Sequence, residues 1–335
     1  MKILHKTYIS RVCLAFFGLF LVIVAGGSSR NYRDSELKTS TYIYTGGVSK
    51  GKQNGYGICR YNNGNTFYGY WKMGYKHGLG RMVYADGTME FGTWKDGVYI
   101  KPKGRQFKVG QKVYGIDAAK YQKRIDWTAL SLRADKNGVV KGGNVSGAKF
   151  VQPVLFALVK STEGITIKDP TFSRNFAQAK RCGIIRGAYH FLSVNSPVED
   201  QAKFFIKNTP LVHGDLPPVL DLEIDRNTMA RDHARVVAMA KKWLQLVEKH
   251  YGVKPIIYTY DNYYKLYLKG HGLDKYDYWI ARYGAEPSSR QWEIWQFTDK
   301  GKVSGINHAV DIDLFKGDYA KLRKYVKTKG IPSRF

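Results

Sequence analysis

The sequence predicts an α/β protein in which an eight-stranded (β/α) barrel follows a small all-β repeat meander. Three observations carry that expectation. A 23-residue glycine repeat fills much of the first third of the chain; strand-length apolar runs alternate with helical patterns from Val113 onward; and one long amphipathic segment lies near residues 228–250. A length of 335 residues suits about two domains. With 44% apolar residues there is material for packed cores, and three cysteines are too few for a disulfide scaffold. The 54 Lys+Arg against 27 Asp+Glu give a formal charge of +27, shared about equally between residues 1–112 and 113–335. Such diffuse positive charge attracts polyanions without choosing among them.

The amino terminus narrows the choice. Lys2, Lys6 and Arg11 precede an uncharged apolar run, Val12 to Ala25, and Gly26, Gly27, Ser28 and Ser29 follow it. The run falls short of the roughly 20 residues that span a bilayer comfortably, and small residues suited to cleavage come next. Residues 1–27 are therefore expected to be an export signal, either cleaved or retained as an anchor, and residues 28–41 a linker. Both readings put the rest of the chain in the periplasm or outside the cell, so nucleic acid is not expected as a partner. Cys13 lies inside the run, which leaves no cysteine for a lipoprotein, and Cys59 and Cys182 are expected as unpaired buried thiols.

The repeat is read next. Gly46, Gly69 and Gly92 are 23 residues apart, as are Gly51, Gly74 and Gly97; Gly55 and Gly78, Gly57 and Gly80, Tyr61 and Tyr84, and Gly64 and Gly87 keep the same spacing. Each unit reads as a hairpin: an aromatic strand such as Tyr68–Trp71, a glycine turn, a second strand such as Arg81–Tyr84, then a tight turn such as Asp86-Gly87. Residues 42–98 resemble the MORN repeat in a form close to YxGxWxxGxxxGxG. The stacked aromatic edges and flanking lysines read either as a surface for an anionic envelope polymer or membrane, or as a spacer. Residues 99–112 (YIKPKGRQFKVGQK) are basic, contain Pro102 and Gly104, and read as a linker to the domain at 113–335.

In that domain the expected strands are 113–118, 156–161, 184–191, 219–224, 255–260, 278–283, 293–297 and 310–314, with helices near 172–182, 197–207, 228–250 and 261–269. In the longest helix Met229, Val236, Val237, Ala240, Trp243, Leu244 and Val247 fall on one face, while Arg231, Arg235, Lys241, Lys242 and Lys249 turn outward. The pattern predicts a parallel barrel that lacks its late helices. Chemistry then belongs at the carboxyl ends of the strands. Those ends carry Asp117; Lys160, Thr162 and Glu163; Tyr189 and His190; Asp221 and Glu223; Tyr258; Arg282 and Tyr283; Gln296; and Asp311. In the segment 216–224 (LPPVLDLEI) Asp221 and Glu223 are two apart and share one face of a strand. Two carboxylates in one confined space raise at least one carboxyl pKa, which keeps a protonated acid beside an ionised partner. Glycoside hydrolysis requires that pairing; a solvated strand end or a pair of metal ligands is the alternative for the motif alone.

The residues around it resemble glycoside hydrolase family 25, the lysozymes (N-acetylmuramidases) of the Chalaropsis and phage-endolysin type. The matching pieces are 114–117 (YGID), 125–127 (IDW), 160–164 (KSTEG), 186–191 (RGAYHF), 217–223 (PPVLDLE), 255–258 (PIIY), 279–283 (WIARY), 295–296 (WQ) and 310–311 (VD), in the family's order. The resemblance implies a flattened barrel of eight strands and about five helices, and hydrolysis of the β-1,4 bond between N-acetylmuramic acid and N-acetylglucosamine in peptidoglycan. It implies Glu223 as general acid, Asp221 as the neighbour that stabilises charge or orients the acetamido group, and Asp117 and Asp311 as further cleft acids. Tyr189, Tyr258, Arg282, Tyr283 and Gln296 become sugar-binding positions. His190 is read either as hydrogen-bonded support or as a substrate contact, and Glu163 as a loop anchor. Residues 133–152, longer and richer in Gly and Lys than the family's usual connection, could form a substrate flap or a surface hairpin. No metal or cofactor is expected: the eight histidines show no paired ligand spacing. A hydrolase for another N-acetylated glycan such as chitin, or a non-catalytic envelope-binding protein, are the alternatives.

Overall fold

The computed structural model describes residues 21–23, 34–141, 148–289 and 291–333. Apart from Leu21–Ile23, the expected export segment lies outside the described residues. Two sheets make up the chain. The first is a meander of eight strands in sequence order: β1 (Leu21–Ile23), β2 (Ser35–Lys38), β3 (Tyr42–Ser49), β4 (Lys52–Tyr61), β5 (Thr66–Lys72), β6 (Tyr75–Val83), β7 (Met89–Lys95) and β8 (Val98–Tyr99). The repeat therefore forms the predicted hairpins, but the sheet begins earlier than expected: Ser35–Lys38 pairs with β3 instead of serving as linker.

The 23-residue glycines have a packing reason. A Cβ on Gly57 would stand 2.3 Å from the Tyr44 hydroxyl, and one on Gly80 would stand 2.4 Å from the Phe67 ring. An aromatic ring thus lies flat over a cross-strand glycine pair once per repeat. Trp71, Trp94, Met82 and Cys59 complete this inner core, and Cys59 and Cys182 are both free and buried.

The second sheet holds the barrel. Its strands are β9 (Val113–Ala118), β10 (Ser131–Ala134), β11 (Phe150–Glu163), β12 (Ile167–Lys168), β13 (Ile185–Phe191), β14 (Val219–Asp221), β15 (Ile256–Tyr260), β16 (Asp277–Ala281), β17 (Trp292–Gly301), β18 (Val303–Ser304) and β19 (Val310–Phe315). Eight of them, β9, β11, β13, β14, β15, β16, β17 and β19, close on themselves. The helices are α1 (Phe172–Arg181), α2 (Val198–Asn208), α3 (Arg226–Tyr251), α4 (Asp261–Tyr263, extended by a π turn to Leu268) and α5 (Tyr319–Lys329). Helix α3 starts where the Asp225 carboxylate accepts the Thr228 amide and stops at Gly252, whose φ of 71° suits only glycine well. Its predicted apolar face is the buried one.

The barrel departs from the expected parallel order at one strand. β19 runs antiparallel to both β17 and β9, because β17 and β19 form a hairpin with no crossover helix between them. Asp311 consequently lies at the start of its strand, yet opposite Asp117 at the end of β9. Where helices are missing, β10 and β18 pair together, and Leu132, Ala134 and Val303 join the core outside Ile116 and Ile312. β10 also pairs with Phe150–Pro153, the amino-terminal start of β11. The described parts of 133–152 thus lie against the amino-terminal start of β11; the middle, 142–147, where a flap was expected as one reading, lies outside the described residues.

Helix α5, through Leu322 and Tyr325, and the repeat sheet both pack on the amino-terminal end of the barrel. Met89 and Phe91 of β7 share one buried cluster with Val113, Phe156, Val219, Ile256, Ile294 and Phe315. Phe107 and Val109 belong to the same cluster, so the basic segment 99–112 is packed instead of being a free linker. The buried Arg81 guanidinium stacks on Tyr68 and donates to the carbonyls of Cys182 and Gly183 just beyond α1. Those are carbonyls a helix end leaves without partners of its own.

Candidate active site

Alternation along the strands sorts inward from outward residues. Val113, Gly115 and Asp117 of β9 point into the barrel, as do Val219 and Asp221 of β14, Ile256 and Tyr258 of β15, and Trp279 of β16. Gly115 leaves the space that the ring of Phe156, its partner on the neighbouring β11, fills: a Cβ there would stand 2.4 Å from it. Above that apolar filling, the inward positions become polar.

Asp117 and Asp311 face each other across β9 and β19. Burial, then the charges of Asp311 and Asp313, push the Asp117 carboxyl well above its usual range. Burial pushes Asp311 up to about 6. Gln296 bridges to this pair: its Nε2 donates to Asp117 Oδ2 at 2.9 Å, while its Oε1 accepts the hydroxyls of Tyr258 at 3.0 Å and Tyr283 at 3.1 Å. On the other side, Asp221 is buried, and burial followed by the Glu223 charge holds its carboxyl well above the ordinary range. Asp221 Oδ1 has no hydrogen-bond partner among the described residues. Glu223, two residues on and only half-buried, accepts the Tyr260 hydroxyl on Oε2 at 2.9 Å. Tyr189 is buried at the base of the same space, its ring 6.1 Å from that of Trp279. Lys160 pairs with Glu163 at 2.7 Å within β11.

Two sequence-predicted residues lie outside this cluster, and one rule explains both. His190 follows an inward residue, so it points outward into the helix layer, fully buried. Its Nδ1 lies 2.8 Å from Thr162 Oγ1 and its Nε2 3.2 Å from Gln201 Oε1, and its ring stacks on Trp243. Burial lowers its pKa to about 4, so it stays neutral as a structural support and is not a substrate contact. Arg282 likewise precedes the inward Tyr283; its Nη1 donates to the Glu286 carbonyl and pairs with Asp261 at 3.5 Å. Alternation places either Tyr189 or His190, and either Arg282 or Tyr283, in the cleft, never both. The same alternation would have found two residues missed in the sequence: Tyr260, two beyond Tyr258, and Asp313, two beyond Asp311.

A closed barrel with paired acids at one end, aromatic walls and a half-open Glu beside a buried Asp defines a glycosidase of the barrel class. The sequence matches the family "Glycosyl hydrolases family 25" over residues 116–306 and the MORN repeat over 44–66 and 67–89. The chain belongs to glycosyl hydrolase family 25. It is 35% identical over 217 residues to the uncharacterized protein YegX of Escherichia coli K12, covering 64% of this chain and 73% of that one. It is 31% identical over 225 residues to Lysozyme M1 of Streptomyces globisporus, covering 63% of this chain and 70% of that one. Among solved structures, a family 25 glycosyl hydrolase from Bacillus anthracis superposes with a TM-score of 0.54 at 29% identity, over 67% of this chain and 97% of that one.

Proposed function

We propose that the protein is an exported muramidase that hydrolyses the β-1,4 bond between N-acetylmuramic acid and N-acetylglucosamine in peptidoglycan. The observation that carries this is the pair at the end of β14: Glu223 open to the cleft beside a buried Asp221 with a free oxygen. Glu223 donates its proton to the leaving O4 as the C1–O4 bond breaks, and positive charge develops at C1. The substrate's acetamido oxygen attacks C1 to give an oxazolinium, oriented by Asp221, whose free Oδ1 accepts the acetamido N–H. Water then opens that ring at C1 and its proton returns to Glu223, so the catalyst is restored. Tyr189, Tyr258 and Tyr283 supply aromatic walls for the sugars, and Asp117, Asp311 and Gln296 supply the opposite polar wall. Digestion of purified cell walls checks this: muropeptides ending in reducing N-acetylmuramic acid, first formed as the β anomer, are expected. Reducing N-acetylglucosamine ends would overturn the bond assignment, and a first-formed α anomer would exclude acetamido participation.

Export rests on the basic and apolar pattern of residues 1–27. Sequencing the mature chain reads it: a start near Ser28 marks cleavage, Met1 on an envelope protein marks an anchor, and a cytoplasmic chain contradicts both.

The repeat sheet adds an anionic membrane surface as partner. Its turns at Lys50-Gly51, Met73-Gly74 and Asp96-Gly97 lie along one edge, and around them Tyr75 is 60%, Val98 68% and Ile100 50% exposed. Exposed Lys50, Lys52, Lys72, Lys95 and Lys101 flank these apolar side chains. Apolar groups ringed by cations suit an anionic bilayer interface. Sedimentation with phosphatidylglycerol vesicles, lost in Tyr75→Ser/Val98→Ser and absent with phosphatidylcholine, is expected. Equal binding by that variant, or binding only to soluble anionic polymer, overturns it.

A further inference from the structure

Asp313 is a buried acid with no part in the chemistry described above. It points inward from β19, fully buried; its Oδ1 accepts Trp279 Nε1 at 2.8 Å, and its Oδ2 has no partner among the described residues. A buried polar atom without a partner destabilises the fold, and a leucine of similar size would avoid that cost. The carboxyl's presence therefore needs an account, and what Trp279 touches gives one.

Trp279 is 2% exposed and does not form the cleft surface itself. Its ring centroid lies 4.3 Å from that of Tyr258 and 6.1 Å from that of Tyr189. Both tyrosines stand at the base of the acidic cleft. Tyr258 in turn donates to Gln296 Oε1, and Tyr283 donates to the same oxygen. With two hydroxyls on its carbonyl oxygen, the Gln296 amide is held with Nε2 towards Asp117, and that contact is the 2.9 Å hydrogen bond to Oδ2. Unbroken contacts thus run from Asp313 through Trp279, Tyr258 and Gln296 to Asp117. An indole packed between other rings has several rotations of similar contact area. A single acceptor on its N–H selects one of them.

We propose that Asp313 is a positioning residue for the hydrolysis: by fixing the rotation of Trp279 it sets Tyr258 and, through Gln296, the direction of the Asp117 carboxyl. This rests on the glycosidase reading of the site. Burial and then the Asp311 charge push the Asp313 carboxyl well above its usual range, which favours the neutral form. Asparagine keeps an uncharged acceptor oxygen at this position, whereas leucine removes the acceptor and keeps the volume.

The test compares Asp313→Asn, Asp313→Leu, Trp279→Phe and the double variant Asp313→Leu/Trp279→Phe in the full chain, with kcat and KM measured on soluble peptidoglycan fragments. Asp313→Asn is expected within about 2-fold of wild type in both constants, and Asp313→Leu to lose about 10-fold or more in kcat with KM changed by less than about 2-fold. Trp279→Phe should lose as much as Asp313→Leu, and the double variant no more than either, because both break one contact. Wild-type kcat in Asp313→Leu, an Asp313→Asn as slow as the leucine variant, or additive losses in the double variant overturns the proposal. Should Asp313→Leu fail to fold, Trp279→Phe decides: wild-type kcat there overturns it. Near-ultraviolet circular dichroism provides an arm independent of activity. A tryptophan band altered in the leucine variant and kept in the asparagine variant is expected; unchanged spectra in both overturn the positioning role, even if the glycosidase reading itself fails.

Discussion

At the amino-terminal end of the barrel the inward positions hold Val113, Phe156, Val219, Ile256, Ile294 and Phe315, in one buried cluster with Leu322 and Tyr325 of α5 and Met89 and Phe91 of the repeat sheet. At the carboxyl end of the same strands, two to four residues further along, they hold Asp117, Asp221, Tyr258 and Gln296, with Glu223 just past β14. The antiparallel β19 spans the same contrast in reverse order, from Asp311 to Phe315. The floor satisfies every physical preference of a buried interior. The mouth violates them: its acids crowd one another, and their ionised forms are held off by burial. Stability is concentrated at one end so that the other can carry charges that only a substrate or a proton relieves.

Three substitutions would break or sharpen that contrast. The largest effect is expected at the mouth: Glu223→Gln should lower kcat by about 10²–10⁴-fold while the melting temperature stays within about 2 °C, because the side chain is half-exposed. Turbidity loss of cell-wall suspensions and thermal unfolding read the two quantities; full activity would remove Glu223 from the chemistry. At the floor the pattern should invert. Phe91→Ala is expected to cost about 3–5 kcal/mol in denaturant unfolding, with kcat of the folded fraction within about 2-fold of wild type. An unchanged stability would mean that the repeat sheet is only loosely seated on the barrel.

The smallest effect returns to the mouth and is visible through pH. In the folded chain Asp311 titrates at about 6, above the roughly 3.9 of an unfolded aspartate, so the folded state holds this proton more tightly. Its contribution to stability is complete below about pH 4 and is lost as pH rises to about 6 and beyond. Asp311→Asn should therefore be more stable than wild type by about 1–3 kcal/mol at pH 7, and the gain should vanish near pH 4. A gain independent of pH would assign it to packing instead of charge.

Much of both regions was legible in residue order because it depends on local periods. The 23-residue spacing specifies the hairpins, since each glycine pair must lie under an aromatic ring contributed from the same repeat. Period-2 alternation puts Asp221 with Glu223, and the same rule, applied throughout, would have put His190 and Arg282 outside the cleft and drawn Tyr260 and Asp313 into it. Helix α3 was readable from its apolar face and its glycine stop.

The direction of β19 follows from the connection after β17, which is too short for the crossover that a parallel pair needs. The fate of the repeat sheet was not readable. Its aromatic and basic residues read equally well as a ligand surface or a spacer, and only packing shows that Arg81 and Phe91 are spent on the barrel floor, leaving the turn edge free. By itself the sequence determined which residues share a strand face and which repeat, since backbone geometry fixes those relations over a few residues. Tertiary structure alone decided which faces meet, because the link from Asp313 through Trp279 to Asp117 joins β19, β16, β15, β17 and β9 by contacts whose cost in chain entropy is met only when the whole barrel closes.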